Sequence, residues 1–184
     1  MKKFLTLAWE TFKMVLISLA IVLPIRYFLI QPFYVKGASM EPNFHDKEYL
    51  IIDEISYRFN QPQRGDVVVF RYPADPKEYF IKRVIGLPGE SVEFRDGAVY
   101  IYNQAHPDGF ELPEKYLPDG LKTYTYTEGK INISADEFYV LGDNRFASKD
   151  SRVFGAVAKS FLVGKVFFRG LPLDKVGVLK TVQY

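Results

Sequence analysis

Arg64-Gly65-Asp66-Val67-Val68-Val69-Phe70 is the stretch that decides the fold class. A turn triplet opens onto three β-branched residues and an aromatic, all with a strong preference for strands. On its C-terminal side, residues 79–85 form a second apolar run, closed by Gly86-Leu87-Pro88-Gly89. Residues 91–94 and 98–102 flank Asp96-Gly97, the strongest hairpin signal in the chain. Residues 129–133, 138–141 and 161–169 continue the pattern, and Tyr49-Leu50-Ile51-Ile52 precedes it. Only residues 156–161 suit a short helical turn. The 16 Phe and 13 Tyr supply strand formers, and 13 Gly and 11 Pro supply punctuation. The expectation is a mainly β domain of hairpins and small sheets. Residues 103–128, rich in Pro, Asp, Glu and Tyr but without clean periodicity, read as a surface insertion.

Toward the N-terminus the character changes. Lys2, Lys3 and Lys13 precede an apolar run over residues 14–25, which resumes after Arg26 as Tyr27-Phe28-Leu29-Ile30. The unbroken part falls short of the roughly 20 residues that cross a bilayer, but counting on to Phe33 restores the length. Arg26 would then snorkel to the interface, with Tyr27, Phe33 and Tyr34 as an aromatic belt. Pro24 would kink the helix without abolishing it. The expected plan is a tail over 1–13, a single transmembrane anchor over 14–33 and a β-rich body over 34–184. Lysines before the span and the bulk of the chain after it predict an inside, cytoplasmic N-terminus and a body on the outer side of the membrane. A removable signal peptide has the same charge order, but no small-x-small site follows the run. A buried amphipathic helix is the other alternative, because Glu10 and Lys13 interrupt the early stretch.

Composition narrows the chemistry. A net charge of +2 over 184 residues is too small for a nucleic-acid surface. With no Cys and two isolated histidines, His45 and His106, no disulfide, thiolate metal site or His-based metal site is expected, and no cofactor is called for. A Ser-His-Asp arrangement through either histidine has no local support.

Three segments carry reactive groups. Gly37-Ala38-Ser39-Met40-Glu41-Pro42 sets a serine between small residues and a proline, which suits a tight bend that exposes a hydroxyl. A lone loop serine is ordinarily just a turn former. Tyr79-Phe80-Ile81-Lys82-Arg83-Val84-Ile85-Gly86 puts two cations into an apolar strand. Side chains alternate, so Lys82 shares a face with Phe80 and Val84, and Arg83 with Ile81 and Ile85. At least one cation meets apolar surroundings. Desolvation strips the proton from a buried amine, and a neutral amine is a general base. An edge-strand lysine that discourages aggregation is the bland reading. Finally, residues 142–152, Gly-Asp-Asn-Arg-Phe-Ala-Ser-Lys-Asp-Ser-Arg, crowd donors and acceptors into one loop where Asp–Arg pairs could fix its shape.

Taken in order, the apolar N-terminal segment, Ser39-Met40, Arg64-Gly65-Asp66-Val67-Val68, Lys82-Arg83-Val84-Ile85-Gly86-Leu87-Pro88-Gly89 and Gly142-Asp143-Asn144-Arg145 continuing to Ser148-Lys149-Asp150-Ser151-Arg152 resemble the type I signal peptidases. The resemblance covers the chain from its apolar segment to about Phe168 and implies the compact form of that family. It implies a membrane-bound serine endopeptidase that removes signal peptides from secretory preproteins by cleaving after a small-x-small motif. Ser39 would be the nucleophile and Lys82 the general base. Ser148 matches the hydroxyl that positions the lysine, Asp150 and Arg152 match the charged pair bracing the site, and Asp143 and Arg145 lie in the same motif. The Ser39 backbone N–H would serve the oxyanion hole. Gly37 stands where some members carry a second, hydroxyl donor. Phe146-Ala147 departs from the acidic or amide pair that many members carry there. The implied partners are preproteins and the lipid bilayer; the alternatives are an inactive anchored domain that binds partners and a self-cleaving repressor-type protease.

Overall fold

The structure is a computed structural model that describes residues 2–24, 30–182 and 184. Helix α1 (Lys2–Pro24) leads the chain, followed by strands β1 (Ile30–Tyr34) and β2 (Tyr49–Asp53) and the one-turn helix α2 (Ser56–Phe59). Strands β3 (Val67–Tyr72), β4 (Asp75–Gly86), β5 (Ser91–Arg95), β6 (Ala98–Tyr102), β7 (Phe110–Glu111), β8 (Ile131–Asn132) and β9 (Glu137–Leu141) come next. Helix α3 (Ser151–Phe154), β10 (Val157–Ala158), β11 (Leu162–Leu171) and β12 (Gly177–Val178) complete the order, with 3-10 turns at Lys159–Phe161 and Leu173–Lys175.

The large sheet runs β1-β2-β11-β3-β4-β9-β10 with β12 on β11, and the small sheet runs β7-β6-β5-β8. Every pairing is antiparallel. Strand β3 shows why its valines run unbroken. Val67 and Val69 face a core with Met40, Phe44, Leu50 and Ile52, whereas Val68 and Phe70 face a second core with Val84, Phe138 and Val140. A strand buried on both faces has no need of polar alternation. The β5–β6 hairpin turns at Asp96 (φ 55°) and Gly97 (φ 86°), both left-handed as a two-residue turn requires. A third core, including Ile85, Val92, Ile101, Leu112 and Tyr139, joins the small sheet to the large one.

Three expectations change. The N-terminal helix occupies Lys2–Pro24 rather than 14–33, because Phe33 and Tyr34 are drawn into β1 by pairing with Leu50 and Tyr49. Its stretch Lys3–Leu23 has 21 residues with a mean hydropathy of 1.7, long and apolar enough to cross a bilayer. The kink reading at Pro24, the last described residue of α1, and the readings of Arg26 and Tyr27 lie outside the described residues. The buried-helix reading fails, since residues 3–23 are all exposed and cover no core. Last, residues 103–128 are more than a surface insertion: Leu112 and Thr123 are buried, and Leu112 belongs to the third core.

Candidate active site

The bend that carries Ser39 is held from three sides. Gly37 takes the left-handed conformation at φ 87°, which a residue with a Cβ rarely adopts, and its N–H donates to Asp46 Oδ1 at 2.7 Å. Met40 is fully buried in the core beneath the bend. From above, Asn144 donates its backbone N–H to the Ser39 carbonyl (3.1 Å) and its side-chain amide to the Ala38 carbonyl (3.1 Å). The Ser39 side chain is left at the floor of an open cleft of about 600 Å³.

Lys82 comes to it from the middle of β4. Its Nζ lies 2.7 Å from Ser39 Oγ, and the residue is only 3% exposed. Burial pushes the amine down to about 8, although the Asp150 and Asp143 carboxylates partly oppose the shift. The second contact of Nζ is the Ile81 carbonyl, at 2.7 Å. Among the described residues, no carboxylate pairs with it. The pair is therefore an alcohol against an amine that loses its proton within about a pH unit of neutrality, as a nucleophile and its base require.

Around the dyad, charges are buried in pairs. Arg83, next to Lys82, grips Asp143 through two hydrogen bonds (2.8 and 2.6 Å) and donates a third to the Gly65 carbonyl (3.0 Å). Asn43 also donates to Asp143 (2.9 Å). Asp150 accepts two bonds from the Arg152 guanidinium, both at 2.8 Å, one from the Arg152 N–H at 3.2 Å and one from the Gly142 N–H at 3.0 Å. Burial raises the Asp150 carboxyl, but Arg152 and the Gly142 N–H outweigh it, so it stays below the ordinary carboxylate range. Arg145 donates to the Glu114 carboxylate (2.5 and 2.8 Å) and to the Gly142 carbonyl (3.0 Å).

The residues singled out in sequence thus converge, with revisions. Ser39, Lys82, Asp143, Arg145, Ser148, Asp150 and Arg152 surround one loop over residues 142–152. Asp150 pairs with Arg152 as the spacing suggested, whereas Asp143 and Arg145 do not pair with each other. They reach instead for Arg83 and Glu114, respectively 60 and 31 residues away. The expected bond from Ser148 to Lys82 is not formed: Nζ contacts Ser39 Oγ and the Ile81 carbonyl instead. Ser148 Oγ is buried near enough to Asp150 to sense its charge, but meets no partner in hydrogen-bond geometry. Phe44 and Phe70 are core residues, whereas Phe33, read from sequence as part of an aromatic belt, is partly buried against the first core. Phe146 is 76% exposed, so the Phe146-Ala147 departure points away from the brace. His45 faces Glu41 and His106 faces Asn103. The sequence reading assigned no site role to Asn43, Arg83, Glu114 or Asn144; of these, Arg83 carried a signal as a charge within an apolar strand, and Asn144 as a member of the Gly142-Asp143-Asn144-Arg145 motif.

The cleft lies between two strands. Residues 33–36, at and beyond the end of β1, form one wall, and residues 77–82 of β4 form the other; Phe33 and Tyr79 meet edge-on at 5.4 Å. Strand β1 pairs only with β2, and β9 pairs with β4 only from Arg83 onward. Among the described residues, both walls offer backbone groups without a strand partner.

Comparison with known proteins places these features. Residues 8–171 match the family described as signal peptidase, peptidase S26. The chain is 33% identical over 182 residues to a probable signal peptidase I-1 of Synechocystis sp., covering 95% of this chain and 88% of the relative. It is 38% identical over 181 residues to signal peptidase I of Leptolyngbya laminosa (92% and 83%), and 34% over 171 residues to signal peptidase I of Bacillus amyloliquefaciens (87% and 85%).

Proposed function

The chain belongs to the signal peptidase family, peptidase S26, and from that premise we propose that its serine endopeptidase chemistry is carried by Ser39 and Lys82. The enzyme removes signal peptides from preproteins, as the family does. The observation that carries the assignment is the 2.7 Å approach of a buried amine to the serine hydroxyl. Lys82 Nζ accepts the Ser39 proton as Oγ attacks the scissile carbonyl, and the developing oxyanion is met by the Ser39 backbone N–H. Nζ then returns the proton to the departing amine, which leaves an acyl group on Ser39. A water then gives its proton to Lys82 Nζ as it attacks the acyl carbon, and Nζ returns that proton to Ser39 Oγ as the acid is released. Asp150–Arg152, Arg83–Asp143 and Arg145–Glu114 hold the frame in which this occurs, and Ser148 keeps a hydroxyl beside it.

The substrate's extended segment enters the cleft as an added strand, with backbone bonds to residues 33–36 and 77–82 and alternate side chains in shallow pockets. Such a site needs only small residues at two alternate positions, consistent with cleavage after a small-x-small motif. The exposed helix α1 anchors the enzyme in the bilayer, with the N-terminus cytoplasmic and the body on the far side of the plasma membrane. Tethering keeps enzyme and cleavage sites at one surface. The inactive-domain alternative has no observation in its favour, because nucleophile and base are both present and in contact.

The test is cleavage of a preprotein by the purified full chain beside Ser39→Ala and Lys82→Ala variants. Both variants are expected to lose turnover while keeping their fold; cleavage by Ser39→Ala at the parent rate would refute the dyad. The kcat/KM profile should rise with pH as Lys82 is deprotonated, with its acid limb near pH 8. A profile flat down to about pH 5 would contradict a neutral amine acting as base.

A further inference from the structure

A second cavity, of about 360 Å³, opens beside the large sheet, walled by α2, parts of β3 and β4 and the 3-10 turn before β11. Arg58, Arg71 and Lys159 converge on it, together with Glu54 and Ser160. Among the described residues, none of the three cations has an ion-pair or side-chain hydrogen-bond partner. Every other arginine near the active site is committed: Arg83, Arg145 and Arg152 each hold a carboxylate. Glu54 is the one acid in the cavity wall. Its Oε1 is buried without a partner, and it feels Arg58 and Arg71 only through space. Burial pushes the Glu54 carboxyl up, although Arg58 and Arg71 partly oppose the shift. Three cations face a single carboxyl, so the cavity has an excess of positive charge.

Its place in the fold suggests what fills it. Ile30, the first residue of β1, is the register partner of Asp53, immediately before Glu54. Six residue steps separate Pro24, the end of α1, from Ile30, a reach of at most roughly 20 Å. The cavity therefore lies at the end of the sheet nearest the apolar helix. Headgroup layers are about 5–8 Å deep on each side of the hydrocarbon, and their phosphates are what guanidinium groups bind best.

We propose that this cavity binds a phosphate-bearing anion, and that in the membrane its occupant is the phosphodiester of an acidic phospholipid. The choice of lipid rests on reading α1 as a bilayer span; the anion site itself does not. Tyr79 lines both this cavity and the cleft, and it meets Phe33 of the opposite wall edge-on. An occupant would steady the part of β4 against which a substrate strand lies.

The test uses the full chain in neutral detergent micelles, titrated with inorganic phosphate, with dihexanoyl phosphatidylglycerol and with dihexanoyl phosphatidylcholine, and followed by calorimetry. The parent is compared with Arg71→Gln/Lys159→Gln and with a charge-matched control, Lys115→Gln/Lys122→Gln, whose lysines do not line the cavity; thermal midpoints check that each is folded. The expected result is saturable binding of phosphate and of phosphatidylglycerol by the parent and control, with roughly tenfold or greater weakening in the cavity variant. Phosphatidylcholine should bind more weakly, because its choline cancels the phosphate charge. Saturable phosphate binding with no preference for phosphatidylglycerol over phosphatidylcholine would keep the anion site and overturn the lipid. No saturable binding by the parent, or equal weakening in the cavity variant and the control, would overturn the site. None of these readouts depends on Ser39, so they stand apart from the test of catalysis.

Discussion

Gly142 stands where a side chain has no room: a Cβ there would lie 2.1 Å from Ser148 Oγ and 2.4 Å from the Ser39 carbonyl oxygen. Backbone cannot give way as a flexible side chain can, so Gly142→Ala must displace the nucleophile's own peptide. Misplacing a reacting group by about 1 Å costs on the order of 10² in rate. The expected outcome is a fall in kcat of that size with a folded protein, measured on a short peptide substrate. Lys82 makes a different expectation, about stability. Its amine is lowered to about 8 in the native state and returns to its ordinary value near 10.5 when the chain unfolds. Below pH 8 both states hold the proton, and the native state carries the whole cost of burying it. Between about pH 8 and 10.5 the unfolded state binds more protons, so stability rises with pH. Lys82→Met is thus expected to unfold at a higher denaturant midpoint than the parent at pH 7, by about 2–3 kcal/mol, with the gap narrowing above pH 8. Base and nucleophile were legible in sequence because each sits in an unusual local setting: a cation among Phe80, Ile81 and Val84, and a serine between glycine and proline. Asn43 and Glu114 were not, since their partners lie 100 and 31 residues away and no local pattern announces them; Asn144 stood in the loop already singled out, but its partner, 106 residues away, did not show.

Strands β2, β3, β4, β6 and β9 show themselves in sequence because burial on one or both faces writes a pattern of period two or an unbroken apolar run. Of the four two-residue strands, β8 falls in the run over residues 129–133, whereas β7, β10 and β12 are too short to write any pattern; they exist because a longer neighbour offers an edge. The same limit explains residues 103–128. Their polarity reads as surface, yet Glu114, Tyr116 and Thr123 all bond to the Arg145 guanidinium, which lies buried under the active-site loop. That segment behaves as a clamp on the loop over residues 142–152. Removing one partner of a buried ion pair leaves the other charge uncompensated, at a cost of roughly 3–5 kcal/mol. Glu114→Ala is accordingly expected to lower the denaturant midpoint by that order, although Glu114 touches neither Ser39 nor Lys82. Tyr116→Phe removes one hydroxyl from the same guanidinium and should cost about 1–2 kcal/mol.

Helix α1 is exposed from residue 3 to residue 23 and contributes no side chain to any of the three cores. Removing residues 1–24 should therefore leave the melting temperature of the body nearly unchanged and preserve hydrolysis of short soluble peptides. Cleavage of a preprotein held in a bilayer should fall much further; an equal loss on both substrates would show that α1 does more than tether. The body has one further property, and it comes from the two bare walls of the cleft. A sheet that leaves matching backbone edges facing each other is an arch without its keystone. Whatever slots between them finishes the masonry, so a stiff extended peptide that resists hydrolysis should harden the whole body against heat. In concentrated samples, a neighbouring copy's loose segment would compete for the same empty course.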